Sequence, residues 1–196
     1  MDRLPIYKAK VDSKDTGIFT ISLVDDPAVE SNFLYFNKDN KPMQFSVEDE
    51  EKHIVRGVVM ECDKLIYRRD ENNYEYYITF DAETIEVMAQ KYLKDGFQNN
   101  VDLMHNGKLV DGVEMRQWFI SDKEKGVNPA GFEDIADHSL FAEFKVNNDE
   151  IWSEIKEGTF KGFSLAGMFN TVQVSMKRNV LNEIDDIINK IENKLK

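Results

Sequence analysis

The stretch Lys161-Gly162-Phe163-Ser164-Leu165-Ala166-Gly167-Met168-Phe169 decides how this chain is read. In a nucleophile elbow the second glycine comes two residues after the serine, on a sharp strand-to-helix turn. Here Ala166 holds that place and Gly167 follows one step later. The run therefore reads as a strand from Phe160 to Phe169, and it argues against an α/β-hydrolase. A serine hydroxyl attacks a carbonyl only when a nearby base takes its proton, and imidazole, with a reference pKa of about 6.5, is the usual base.

A second apolar run, Val101-Asp102-Leu103-Met104, delivers His105 to the mouth of a turn at Asn106-Gly107. A serine between glycines on one strand and a histidine ending another are the first two groups a serine hydrolase needs. Gly162 and Gly167 are expected to admit a substrate backbone closely and to leave backbone N–H groups for a developing oxyanion. Taken singly, each residue has a plainer reading: the serine as part of a turn or strand end, the histidine as a surface or cap residue. The surrounding text joins them.

Working outward, Ile18 to Val24 is a β-branched run stopped by Asp25-Asp26-Pro27, and Phe33 to Phe36 is a second short apolar run. Asn37 to Glu51 is polar and reads as a surface loop or hairpin. His53 to Glu61, Leu65 to Arg69 and Tyr74 to Phe80 are strand-like, the last two separated by Asp70-Glu71-Asn72-Asn73. Asp81 is placed to cap a helix carrying Ile85, Met88, Ala89 and Tyr92, stopped at Asp95-Gly96. Asn100 to His105 and Val113 to Ile120 read as strands, with Trp118 as an anchor. Ser121 to Asp137 reads as a long loop. Ser139 to Val146 is a strand, followed by a short helix capped at Asn148-Asp149-Glu150 and ended by Gly158. The fold class is mainly β with flanking helices.

From Val180 the pattern changes. Leu181, Ile184, Ile188, Ile191 and Leu195 recur at alternating steps of three and four, a coiled-coil stripe too short to be stable alone. The chain divides into a body, 1–176, and an amphipathic C-terminal helix, 177–196, that docks on the body or joins another chain.

The chain has 196 residues, 41% apolar and 32% charged, with a net charge of −12. That charge disfavours general nucleic-acid binding, since phosphates would be repelled. A single cysteine, Cys62, and three scattered histidines leave no structural zinc set, so metal-independent chemistry is expected, with no cofactor. No apolar run approaches the roughly 20 residues of a membrane helix, and the N-terminus lacks the apolar core of a signal peptide, so a cytoplasmic protein is expected.

The order His105-Asn106, Trp118, Asn148-Asp149-Glu150-Ile151-Trp152, Lys156-Glu157-Gly158 and Lys161-Gly162-Phe163-Ser164 resembles the phage prohead serine proteases, in particular the XkdF-like branch. Ile21-Ser22-Leu23-Val24-Asp25-Asp26-Pro27-Ala28-Val29-Glu30 resembles the start of such proteins. The resemblance implies an assemblin-like closed or partly open β-barrel, with His105 as general base and Ser164 as nucleophile. It implies cleavage of phage scaffold and major capsid proteins, and self-cleavage, inside the procapsid in the host bacterial cytoplasm. A homodimer or higher oligomer is expected through the C-terminal helix. The family's carboxylates near the strand tryptophan and after the serine are replaced here by Arg116 and Ala166. The third catalytic member is therefore open: Glu143 comes first, with Glu114, Asp122 and His138 as alternatives. The competing expectation is an inactive scaffold or structural protein on the same fold.

Overall fold

The computed structural model describes residues 4–25, 46–49 and 52–174. In chain order the elements are β1 (Ile6–Lys10), β2 (Gly17–Val24), β3 (Ser46–Asp49), β4 (Ile54–Met60), β5 (Ile66–Arg69), β6 (Glu75–Thr79), α1 (Ala82–Lys94), β7 (Val101–Leu103), β8 (Val113–Ile120), β9 (Leu140–Val146), α2 (Asp149–Lys156), β10 (Gly162–Met168) and β11 (Asn170–Val174). The described residues are mainly β with two helices, as the sequence indicates for them. Ser46–Asp49 is a strand within the stretch read as a loop or hairpin and pairs antiparallel with β4, and β1 and β11 are strands the sequence did not announce. The C-terminal stripe and the run at Phe33 lie outside the described residues.

The strands form three sheets, ordered β11-β1-β6-β5, β10-β2-β7 and β3-β4-β9-β8. The expected closed barrel is corrected by this arrangement. The antiparallel ribbon in which β1 and β2 face β11 and β10 is interrupted by the turn before Gly17 and by a register shift between Ala166 and Gly167. Among the described residues, no ladder joins the edge strands β10 and β7 to a neighbouring sheet.

The core lies between these sheets. Ile21 and Leu23 of β2, Val55 and Val59 of β4, and Ala142, Phe144 and Val146 of β9 pack in it with Ile85, Met88 and Tyr92 of α1. Full burial of such large apolar side chains stabilises by about 1.5–3 kcal/mol each. Trp118 anchors β8 to α1: its ring lies 4.9 Å from that of Tyr92, and its Nε1 donates to the Ala89 carbonyl at 3.2 Å. Ile151, Trp152 and Ile155 bury one face of α2, and Asn148 caps it by accepting from the N–H groups of Glu150 and Ile151.

Asp81 caps α1 by accepting from the Thr84 N–H at 3.0 Å, and Lys8 of β1 pairs with the same carboxylate. Burial alone would raise this carboxyl's pKa, but the bonds from Lys8 and Thr84 outweigh it and bring the value down to about 2. A depressed carboxylate stabilises the fold above its unfolded pKa, and that contribution is lost as pH falls through the folded value. Asp81→Ala is expected to cost about 1–2 kcal/mol near neutral pH. Urea melts should show the gap from wild type closing as pH drops from about 4 towards 2. A gap that does not depend on pH would remove the ionic part of this account.

Candidate active site

The centre of the site is a row of three polar side chains. Strand β2 lies between β10 and β7, and its register sets Ser22 opposite Ser164 on one side and opposite Asp102 on the other. Directly opposed residues point to the same face of a sheet, while chain neighbours point to the other. Ile21, Leu23, Val101, Phe163 and Leu165 accordingly enter the core, and Ser164, Ser22 and Asp102 line up on the opposite face.

The chain then doubles back over this row. The Asn106 N–H donates to the Leu103 carbonyl at 3.1 Å, closing a turn whose central residues, Met104 and His105, have φ of 52° and 54°. Left-handed backbone costs a non-glycine residue about 1–2 kcal/mol. Local bonds hold the turn in place. The Met104 N–H donates to the Leu23 carbonyl at 3.0 Å, Gly107 N–H to Asp102 Oδ2 at 2.9 Å, and Lys108 N–H to Asn106 Oδ1 at 2.8 Å. Gly107, at φ 71°, supplies the left-handed residue that completes the reversal.

The imidazole of His105 is thereby laid across the row. Its Nε2 is 2.8 Å from Ser164 Oγ, and its Nδ1 is 2.8 Å from Ser22 Oγ. The Ser22 hydroxyl in turn hydrogen-bonds Asp102 Oδ1. Ser164 is 2% exposed, and Ser22 and Asp102 are buried as well, whereas His105 is only partly buried. The ring is the accessible member of the set.

Ser164 and His105, far apart in sequence, are thus brought together, and Glu143 is not brought to them. Its carboxylate is completely buried, with Oε2 accepting from Arg56 Nε and Nη2 at 3.1 and 2.7 Å, and Oε1 held by Arg116. The cause is a bulge: Met115 pairs with Phe144 and Gln117 with Glu143, leaving Arg116 as the extra residue on β8, re-aimed at the carboxylate. Both arginines border a cavity of about 550 Å³ with Trp118, Phe119 and Pro129. The place behind the imidazole given to Glu143 is held instead by Ser22. Among the alternatives, Glu114 is exposed on β8 opposite Lys145, Asp122 pairs with Lys125, and His138 borders a cavity of about 680 Å³ beside α1.

Gly167 also has a different task from the one expected. A Cβ there would lie 2.3 Å from the Gly17 carbonyl oxygen, so this glycine admits the protein's own backbone at the bulge. Ser22 and Asp102 were missed by sequence reasoning. Each is a small polar residue in the outward phase of an apolar strand, a signal present in the text, but only the strand register makes them neighbours.

An alcohol and an imidazole at proton-transfer distance on a β scaffold define the serine-hydrolase class of site. The chain belongs to the family described as "Putative phage serine protease XkdF", whose model matches residues 43–173. Asp102, His105 and Ser164 lie within that span, and Ser22 lies before it. No curated protein and no solved structure matches the chain. Among the described residues there is no group of three or more His, Cys, Asp or Glu side chains that could hold a metal ion, and no helix is long and apolar enough to cross a membrane.

Proposed function

We propose that this protein is a serine endopeptidase of the phage prohead, cleaving scaffold and major capsid proteins during maturation within the procapsid. The observation that carries the reading is the 2.8 Å contact between His105 Nε2 and Ser164 Oγ. Ser164 attacks the scissile carbonyl as His105 takes its proton. The same nitrogen returns the proton to the departing amine, and water then releases the acyl group by the reverse sequence. Strand β10 is the edge of its sheet, with ladder bonds only to β2 among the described residues. An extended peptide adding to that edge would place a carbonyl beside the nucleophile, with main-chain bonds giving affinity and side-chain contacts giving selectivity.

The low exposure of Ser164 favours a second reading, an inactive structural protein that has kept the fold. Co-expression with the phage scaffold and capsid proteins, together with a fluorophosphonate probe, separates the two. The expected result is cleavage of both partners and labelling of Ser164, each lost in Ser164→Ala. Cleavage that persists in the variant removes Ser164 as nucleophile. A wild type that neither labels nor cleaves favours the structural reading.

A further inference from the structure

We propose that Ser22 and Asp102 are positioning residues that together replace the single carboxylate of a catalytic triad, the serine hydroxyl relaying the carboxylate's influence to His105. The inference deepens the protease reading and rests on it. Donor and acceptor inventory carries the argument. An ionised carboxylate only accepts hydrogen bonds, so the Ser22 O–H must donate to Asp102 Oδ1. Its oxygen then has only lone pairs to offer His105 Nδ1, 2.8 Å away, which must carry the ring's proton. Nε2 is left unprotonated and faces the Ser164 hydroxyl at 2.8 Å, the state a general base requires.

During attack the Ser164 O–H bond breaks, its proton joins Nε2, and the oxygen forms a bond to the substrate carbon, whose carbonyl electrons move onto oxygen. The ring becomes an imidazolium with N–H bonds at both positions. Nothing leaves Nδ1. The new charge is stabilised by a hydroxyl dipole that Asp102 keeps oriented, and behind it by the carboxylate. Asp102 has a second hold on the ring, because its other oxygen accepts from the Gly107 N–H and fastens the turn that carries His105. Along β2, β7, β10 and this turn, the charged side chains are Asp102 and Lys108, and Lys108 is exposed. The carboxylate is therefore the charge that sets the imidazole's preference among these elements.

Ser22→Ala is the discriminating variant, since it breaks the relay while leaving the Asp102–Gly107 clamp. It is expected to lower kcat by roughly a hundredfold. The acid limb of the kcat/KM profile should move to lower pH by about one unit, because the imidazolium loses its support. Ser22→Thr restores a hydroxyl and should return most of the rate. A purely structural serine would alter the melting temperature without moving the limb. Nitrogen NMR of the His105 ring provides a readout that does not depend on turnover: the neutral wild-type ring should carry its proton on Nδ1, and Ser22→Ala should weaken that preference. A neutral ring protonated on Nε2, or a Ser22→Ala enzyme with unchanged kcat and limb, overturns the proposal. If wild type turns over no substrate, the protease reading fails, and the ring tautomer still decides the relay.

Discussion

His105→Asn is expected to lower peptide cleavage by roughly ten-thousand-fold, with little change in folding. Asparagine is chosen because the backbone at position 105 is left-handed, a conformation asparagine tolerates better than alanine. The variant keeps the turn and removes the base. Without an acceptor at 2.8 Å, the Ser164 hydroxyl keeps its proton, and only backbone stabilisation of the oxyanion and substrate binding remain. Because His105 also partly covers Ser164, its removal should leave the hydroxyl more open while making it less reactive. A fluorophosphonate probe should therefore label the variant far more slowly than wild type, despite better access. Cleavage within tenfold of wild type would mean that another group takes the proton.

The second large effect concerns stability. Glu143→Ala removes a carboxylate that is completely buried and held by two arginines, one of which, Arg56, is itself mostly buried. Removing one member of such a buried ionic contact costs about 3–5 kcal/mol. For a chain of this length that corresponds to a fall in Tm of roughly 10 °C. Arg116 is half exposed and can recover water, so Arg116→Ala should cost less than Arg56→Ala. Below its melting range the Glu143 variant should cleave at close to the wild-type rate. The reverse outcome, an unchanged Tm with cleavage lost, would return Glu143 to the catalytic set.

The two residues that meet, His105 and Ser164, were legible because their chemistry is local: a histidine at a turn, and a serine in a strand with the wrong glycine spacing for an elbow. The strands β2, β4, β8, β9 and β10 and both helices were legible for a similar reason, since each carries its own periodicity, cap or stop. What joins the elements was not legible. Ser22 is as unremarkable as any polar residue between two isoleucine-like neighbours until β2 is seen to lie between β10 and β7. Glu143 misled for a related reason. Its strand alternates as expected, but a one-residue bulge in β8 supplies it with a second arginine, and bulges leave little trace in a single sequence. The expectation of a closed barrel failed at the same kind of place, where a turn and a bulge divide one ribbon between two sheets.

Strand β2 is made before both of its sheet neighbours, β7 and then β10, and it finishes between them. A growing chain can carry Ser22, Asp102 and His105 yet have no reactive alcohol until residues 162–168 emerge and find their seat along β2. The Ser164–His105 contact thus forms only with one of the latest long-range pairings among the described residues, since only the pairing of β11 with β1 draws on a later strand. A nascent chain therefore lacks the alcohol–imidazole pair until that docking is complete.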